Sequence, residues 1–228
     1  LYVSSNQTHT IKRYDGSTGD FLGDFVPSGA GGLELPTGLS FGPDGNLYVV
    51  SRGTSSIKKY DKLTGAFLAD FVASGAGGLL GVQNLVFRPD GKLYVTDPAY
   101  TPPAVLRYDA ATGSFLDVFV GNLSGAYDLV FDVDGKLYVN LSGGGGNVVA
   151  RFNGVTGASE GVFTAPGSGL NEPRGMVFMP AQPSYSVCLL YDPTKAVKSG
   201  ATMPIKLQLC DGSGANLSSA SIVLHATG

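Results

Sequence analysis

Residues 41–49 read FGPDGNLYV, residues 87–95 FRPDGKLYV and residues 131–139 FDVDGKLYV. A further LYV opens the chain at Leu1. Asp-Gly between two alternating apolar runs is a strong short-range hairpin signal, and it predicts a two-residue type I′ turn with φ > 0 at both central residues. After the turn, Leu and Val of LYV share one face of a strand and Tyr takes the other. The third copy, DVDG at 132–135, looks like the start of a calcium loop. A calcium loop needs further oxygen ligands and a closing Glu. A strand, KLYVN, follows instead, so these aspartates are expected to serve the turn.

Working outward, the whole environment repeats. LYV starts at Leu1, Leu47, Leu93 and Leu137, a period of 44 to 46 residues. In phase with it, IKRYDGSTGDFLGDFV (11–26) matches IKKYDKLTGAFLADFV (57–72), VLRYDAATGSFLDVFV (105–120) and the weaker VARFNGVTGASEGVFT (149–164). Each unit reads as four short strands: a (TGLSF, QNLVF, YDLVF), b (LYV), c (IKRYD) and d (FLGDFV). A period of 40 to 50 residues holding four strands predicts an all-β fold of propeller blades. In strand c the recurrent Asp15, Asp61 and Asp109 are expected to cap the c–d turn, where the Gly of the Thr-Gly pair supplies a positive φ. The recurrent tyrosines are expected to pack between blades.

The landmarks resemble those of the NHL-repeat β-propellers over residues 1 to about 179: an a-strand ending in Phe, the Asp-Gly turn, the LYV b-strand, the I-K-Y-D c-strand and the Thr-Gly turn. The resemblance implies a propeller and leaves function open, because that family spans lyases, lactonases and protein- and RNA-binding modules. The first unit begins at strand b, and RGMVF (174–178) supplies an a-strand with no b-strand after it. Joining the two completes a fourth blade, so a propeller of four blades closed by residues 174–178 is expected. The alternative is an arc of a longer protein. The chain begins at Leu1 rather than Met, and the simplest reading is that its start is missing.

The repeat stops near residue 180. Residues 181–228 contain three apolar runs, YSVCLLYD, MPIKLQLCD and SIVLHA, separated by Gly/Ser/Pro-rich loops. They resemble the opening half of a bacterial immunoglobulin-like module, which needs about seven strands when complete. The two domains expected are therefore 1–180 and 181–228. Cys188 and Cys210 are the only cysteines, lie in no metal-binding spacing, and are candidates for a disulfide.

Composition excludes several classes. Charged residues make up 14% of the 228, against roughly 25% in typical soluble domains, while 34 are Gly. A net charge of −3 gives no basic face for nucleic acid. No apolar run approaches the roughly 18 residues of a membrane span. This balance suits a secreted, periplasmic or cell-surface protein. His9 and His225 are the only histidines, and there is no P-loop, G-x-S-x-G or Cys/His dyad. No cofactor or metal is called for.

Propellers bind on the face where d–a and b–c loops converge. The polar and aromatic residues there are Arg52, Asn84, Asp97, Tyr100, Tyr127, Asp128, Asn140, Glu172 and Arg174. Asn6, Asn122, Asn140 and Asn216 also open Asn-x-Ser/Thr triplets. Residues repeated in every blade belong to the scaffold, and function is expected where the copies differ. The expected role is a non-catalytic extracytoplasmic interaction or structural module with a protein partner or larger assembly, a glycan being the other ligand class. A lyase- or lactonase-type enzyme with a metal site at the channel mouth is the alternative.

Overall fold

The computed structural model describes residues 1–165, 167–179, 186–189 and 207–210. The chain divides into two units, Leu1–Phe178 and Met179–Gly228.

The first unit is four antiparallel sheets in chain order. The first holds β1 (Tyr2–Ser5), β2 (Thr10–Tyr14) and β3 (Phe21–Val26); the second β4 (Pro36–Phe41), β5 (Leu47–Ser51), β6 (Ser56–Tyr60) and β7 (Phe67–Val72). The third holds β8 (Asn84–Phe87), β9 (Lys92–Asp97), β10 (Ala104–Asp109) and β11 (Phe115–Val120); the fourth β12 (Ala126–Phe131), β13 (Leu137–Leu141), β14 (Val148–Phe152) and β15 (Ser159–Val162). Each is an up-and-down meander, one blade of a propeller. Inner strands pack on one another in order, β1 on β4, β4 on β8 and β8 on β12.

The b-strand alternation builds the cores between blades. Leu47 and Val49 face the first blade, packing with Ile11, Phe25 and Leu33, while Tyr48 and Val50 face the third. Leu93 and Val95 face backward in the same way, and Tyr94 faces the fourth blade with Phe119 and Leu129. Each such aliphatic side chain contributes about 1.5–3 kcal/mol on full burial. Every b-strand Tyr sits edge-on between two Phe rings, the d-strand Phe of its own blade and the a-strand Phe of the next. Tyr2 lies between Phe25 and Phe41, Tyr48 between Phe71 and Phe87, and Tyr94 between Phe119 and Phe131.

The a–b turn differs from expectation. Of the Asp-Gly pairs only the glycines, Gly45, Gly91 and Gly135, have positive φ. Gly45 N–H donates to the Gly42 carbonyl and Gly42 N–H to that of Asn46. This is a type I turn followed by a left-handed Gly, a three-residue loop. Pro43 and Pro89 suit it, because proline pre-sets φ near −65° for the first central position of a type I turn, a position that Val133 takes in the third copy. Asp44 and Asp90 accept the Tyr48 and Tyr94 hydroxyls. In DVDG it is Asp132, not Asp134, that accepts from Tyr138 and from Lys136 N–H. DVDG is thus a turn variant, with its scaffold carboxylate moved two places upstream.

The c–d turn forms as read. Asp61 Oδ1 accepts the Leu63 and Thr64 N–H groups, Asp109 those of Ala111 and Thr112, and the amide oxygen of Asn153 those of Val155 and Thr156. The following glycine has a second task that the sequence did not disclose. A Cβ on Gly65 or Gly113 would lie 1.9 Å from the carbonyl oxygen of Phe25 or Phe71 in the preceding blade, and one on Gly157 would lie 2.4 Å from that of Phe119. Gly19, in the first blade, has nothing within 4 Å.

Residues 174–178 do not close the ring. Among the described residues the first sheet has three strands, with β1 hydrogen-bonded to β2 alone. Tyr2 keeps β1 against the second blade through Phe41, whereas Phe178 packs on Tyr138, itself against Phe163. Residues 174–178 therefore occupy the inner-strand position after the fourth blade.

In the second unit β16 (Ser186–Leu189) and β17 (Leu207–Cys210) pair antiparallel, at the first two runs expected as strands. The third, SIVLHA, lies outside the described residues. Cys210 is buried and disulfide-bonded. The side chain of its expected partner, Cys188, lies outside the described residues.

Candidate functional site

At the propeller axis the residues that open TGLSF, QNLVF, YDLVF and RGMVF come together. These are Thr37, Gln83, Tyr127 and Arg174. With Gly38, Asn84, Asp128 and Gly175 they line one depression of about 270 Å³. The copies differ at these positions. A second depression of about 370 Å³ adjoins it, sharing Tyr127 and Arg174 and reaching Glu172, Ser142 and the glycine loop at 143–144.

Arg174 forms the ridge between the two. Its guanidinium lies 3.8 Å over the Tyr127 ring and 3.3 Å from the Glu172 carboxylate. Stacking on an aromatic face leaves the edge donors of the guanidinium pointing outward. Glu172 is set by backbone geometry: its φ is 45°, and its N–H donates to Asn147 Oδ1 at 3.2 Å.

Beneath the surface the polar groups are used up in positioning. Asp128 accepts from the Asn84 side-chain amide, from Leu129 N–H at 2.9 Å and from Met176 N–H at 2.6 Å. Burial pushes its carboxyl above the ordinary range, and these donors pull it partly back. Asn140 is fully buried; its Oδ1 accepts from Asp128 N–H at 2.7 Å and its Nδ2 donates to the Pro173 carbonyl at 3.0 Å. Asn140 thus fixes both Asp128 and the segment carrying Arg174, and its burial bars it as a ligand contact and as a glycan site.

The nine residues singled out from sequence therefore separate. Asn84, Tyr127, Asp128, Glu172 and Arg174 converge on the two depressions. Asp97 does not: it is 0% exposed, and its oxygens accept from the N–H groups of Leu80, Gly81, Ala99 and Tyr100. It is a loop latch, and Tyr100 packs on the core between the second and third blades. Arg52 is exposed in a 3-10 turn and lines neither depression. Thr37 and Gln83 were missed, although aligning the starts of TGLSF, QNLVF, YDLVF and RGMVF marks their position. His9 is also scaffold, its Nδ1 accepting Leu35 N–H at 2.9 Å. Among the described residues no group of three or more His, Cys, Asp or Glu is placed to hold a metal ion.

No family model matches the sequence, and neither does any curated protein. Solved structures do match in shape. Hydrazine synthase of Kuenenia stuttgartiensis gives a TM-score of 0.60 at 15% identity over 92% of this chain and 59% of that one. The nidogen/laminin complex gives 0.55 at 18% identity over 69% and 57%. A gluconolactonase from Xanthomonas campestris gives 0.55 at 19% identity over 71% and 57%. The chain thus spans somewhat under 60% of the length of each. At these identities the likeness shows the fold alone, a β-propeller.

Proposed function

We propose that the chain is a non-catalytic interaction module of an extracytoplasmic protein. In this reading an NHL-type propeller presents its axial depression to a protein partner, and an immunoglobulin-like module in residues 181–228 follows it. One observation carries the reading: the residues that vary between blades meet at one place, while the repeated ones are consumed by turns and joints. At that place Thr37, Gln83, Tyr127 and Arg174 offer a hydroxyl, an amide, a ring and a guanidinium edge, a set suited to the amides and carboxylates of a peptide segment.

The propeller fold serves an enzyme in the gluconolactonase and occurs in the nidogen/laminin complex, so the choice rests on the site. General acid–base chemistry needs a titratable group free to exchange a proton with the substrate. Asp128 has its oxygens engaged from within the protein and Glu172 is paired with Arg174.

The test is to screen the protein against peptide and glycan arrays beside Arg174→Ala and Tyr127→Ala. Selective peptide binding is expected, weakened about tenfold or more by either change, as for loss of a central contact of about 1.4 kcal/mol. Turnover of a lactone substrate, or binding indifferent to both substitutions, overturns the reading.

A further inference from the structure

The face opposite the axial loops, where the a–b and c–d turns lie, carries a seat for a guanidinium group, and we propose that it takes an arginine side chain presented by a partner protein. The seat lies in the joint between the second and third blades. This goes beyond the binding role of the axial face and does not rest on it.

The next joint, between the third and fourth blades, shows such a seat filled from within the chain. Arg88 stands just before the a–b turn of the third blade and reaches across to the fourth. Its guanidinium lies 4.1 Å over the Phe131 ring, donates from Nη1 to the Gly154 carbonyl at 2.8 Å and stands 3.8 Å from an Asp90 oxygen. An aromatic face, a carbonyl at the edge and a carboxylate beside them suit a planar cation with donors around its rim. Only 17% of the Arg88 side chain stays exposed.

In the joint before it the same groups recur without the arginine. FGPDG and FRPDG align Gly42 with Arg88 and Asp44 with Asp90. The a-strands align Phe87 with Phe131, and YDAATG and FNGVTG align Ala110 with Gly154. A cleft of about 370 Å³ lies there, among Pro43, Asp44, Tyr48, Lys59, Ala110 and Ala111. Its walls are held in place: Ala110 N–H donates to the Gly91 carbonyl at 3.0 Å, and Asp44 accepts the Tyr48 hydroxyl at 3.2 Å. Position 42 is no source of the missing group, because a Cβ there would lie 2.3 Å from the Tyr48 ring. Residues 179–228 contain no arginine, so the second unit has none to offer.

Lys59 guards the seat. Its counterpart Arg107 pairs with Asp117 across the c–d strand pair. The same register sets Ala69 opposite Lys59, and Lys59 turns to Asp44 instead, at 2.7 Å. Its ammonium thus holds the carboxylate that an incoming guanidinium would face, and the guest competes with it.

The experiment is a titration of the ¹⁵N-labelled 228-residue chain with N-acetyl-L-argininamide, followed at the backbone amides by two-dimensional NMR. Shifts at Gly45, Ala110 and Ala111 are expected, saturating with a Kd on the order of 1 mM. The uncharged citrulline counterpart is expected to bind about tenfold more weakly or worse. Lys59→Ala is expected to tighten arginine binding about threefold or more, a gain that loss of folding does not mimic, and Asp44→Asn to weaken it by a similar factor. Shifts centred on Thr37, Gln83 and Tyr127 instead overturn the seat and leave the axial role standing. Equal binding of citrulline, or no tightening in Lys59→Ala, overturns it as well.

Discussion

Alanine at the Thr-Gly glycines separates the cost of a turn from the cost of a joint. Gly19 and Gly113 have nearly the same backbone, with φ of 80° and 73°. Forcing an L-residue into the left-handed region costs about 1–2 kcal/mol, partly offset by the lower entropy of the unfolded alanine chain. Gly19→Ala, with open space around its new methyl group, should cost about 1 kcal/mol. Gly113→Ala bears the same strain and also drives a Cβ to 1.9 Å from the Phe71 carbonyl oxygen. Relief requires the third blade to retreat by over an ångström from the second, across the core holding Tyr48, Leu93 and Leu106. Overpacking of this kind adds about 1–3 kcal/mol. With 1 kcal/mol worth about 2–4 °C in a chain of this size, Gly19→Ala should lower Tm by about 3 °C and Gly113→Ala by about 6–12 °C. Thermal and urea unfolding followed by circular dichroism read both. Equal losses would falsify the joint argument and leave the glycine a turn residue only.

The remaining expectations are independent of that one. Asp128→Ala strands the Met176 and Leu129 N–H groups and the Asn84 amide, and should cost about 2–4 kcal/mol in urea titration. Because the folded Asp128 carboxyl lies above its unfolded value, it binds a proton more readily in the native state; wild-type stability gains from it as pH falls through the folded value, and Asp128→Asn should lose that gain. Asp61 has the opposite sign. The N–H groups of Thr64 and Leu63 hold it below the usual carboxylate range, so its contribution is present above the unfolded value and lost as pH falls through the folded one. Since Asn153 makes the same turn, Asp61→Asn should leave Tm near wild type at neutral pH and Asp61→Ala should lower it. Non-reducing peptide mapping should recover the Cys188 and Cys210 peptides joined; separate peptides would refute that pairing.

The sequence made the scaffold legible because scaffold residues recur. LYV, the Asp of strand c and Thr-Gly each repeat, and each proved to carry a core face, a capped turn or a joint. The turn type was misread because Asp-Gly was taken as the whole loop, whereas the residue before it, Pro43, Pro89 or Val133, takes the first central position of a type I turn. The second role of Gly65 and Gly113 was invisible, since it depends on the approach of a carbonyl about 40 residues away. At the axis, Tyr127, Asp128 and Arg174 were readable as loop residues beside the repeat. Thr37 and Gln83 were passed over because they are chemically plain. Asp97 and Asn140 looked like ligand contacts because nothing in a sequence tells a carboxylate turned to solvent from one wrapped in backbone N–H groups.

Because Gly65 meets Phe25 as Gly113 meets Phe71, the blades are interchangeable parts. A DNA crossover between two copies of the LYV coding segment inserts or deletes one whole unit with its socket, tongue and turn intact. No compensating mutation is needed elsewhere. The gene can therefore lengthen or shorten in steps of about 46 codons by unequal recombination, and each product meets the packing rules of its parent. At the axis, Thr37, Gln83, Tyr127 and Arg174 tell the units apart.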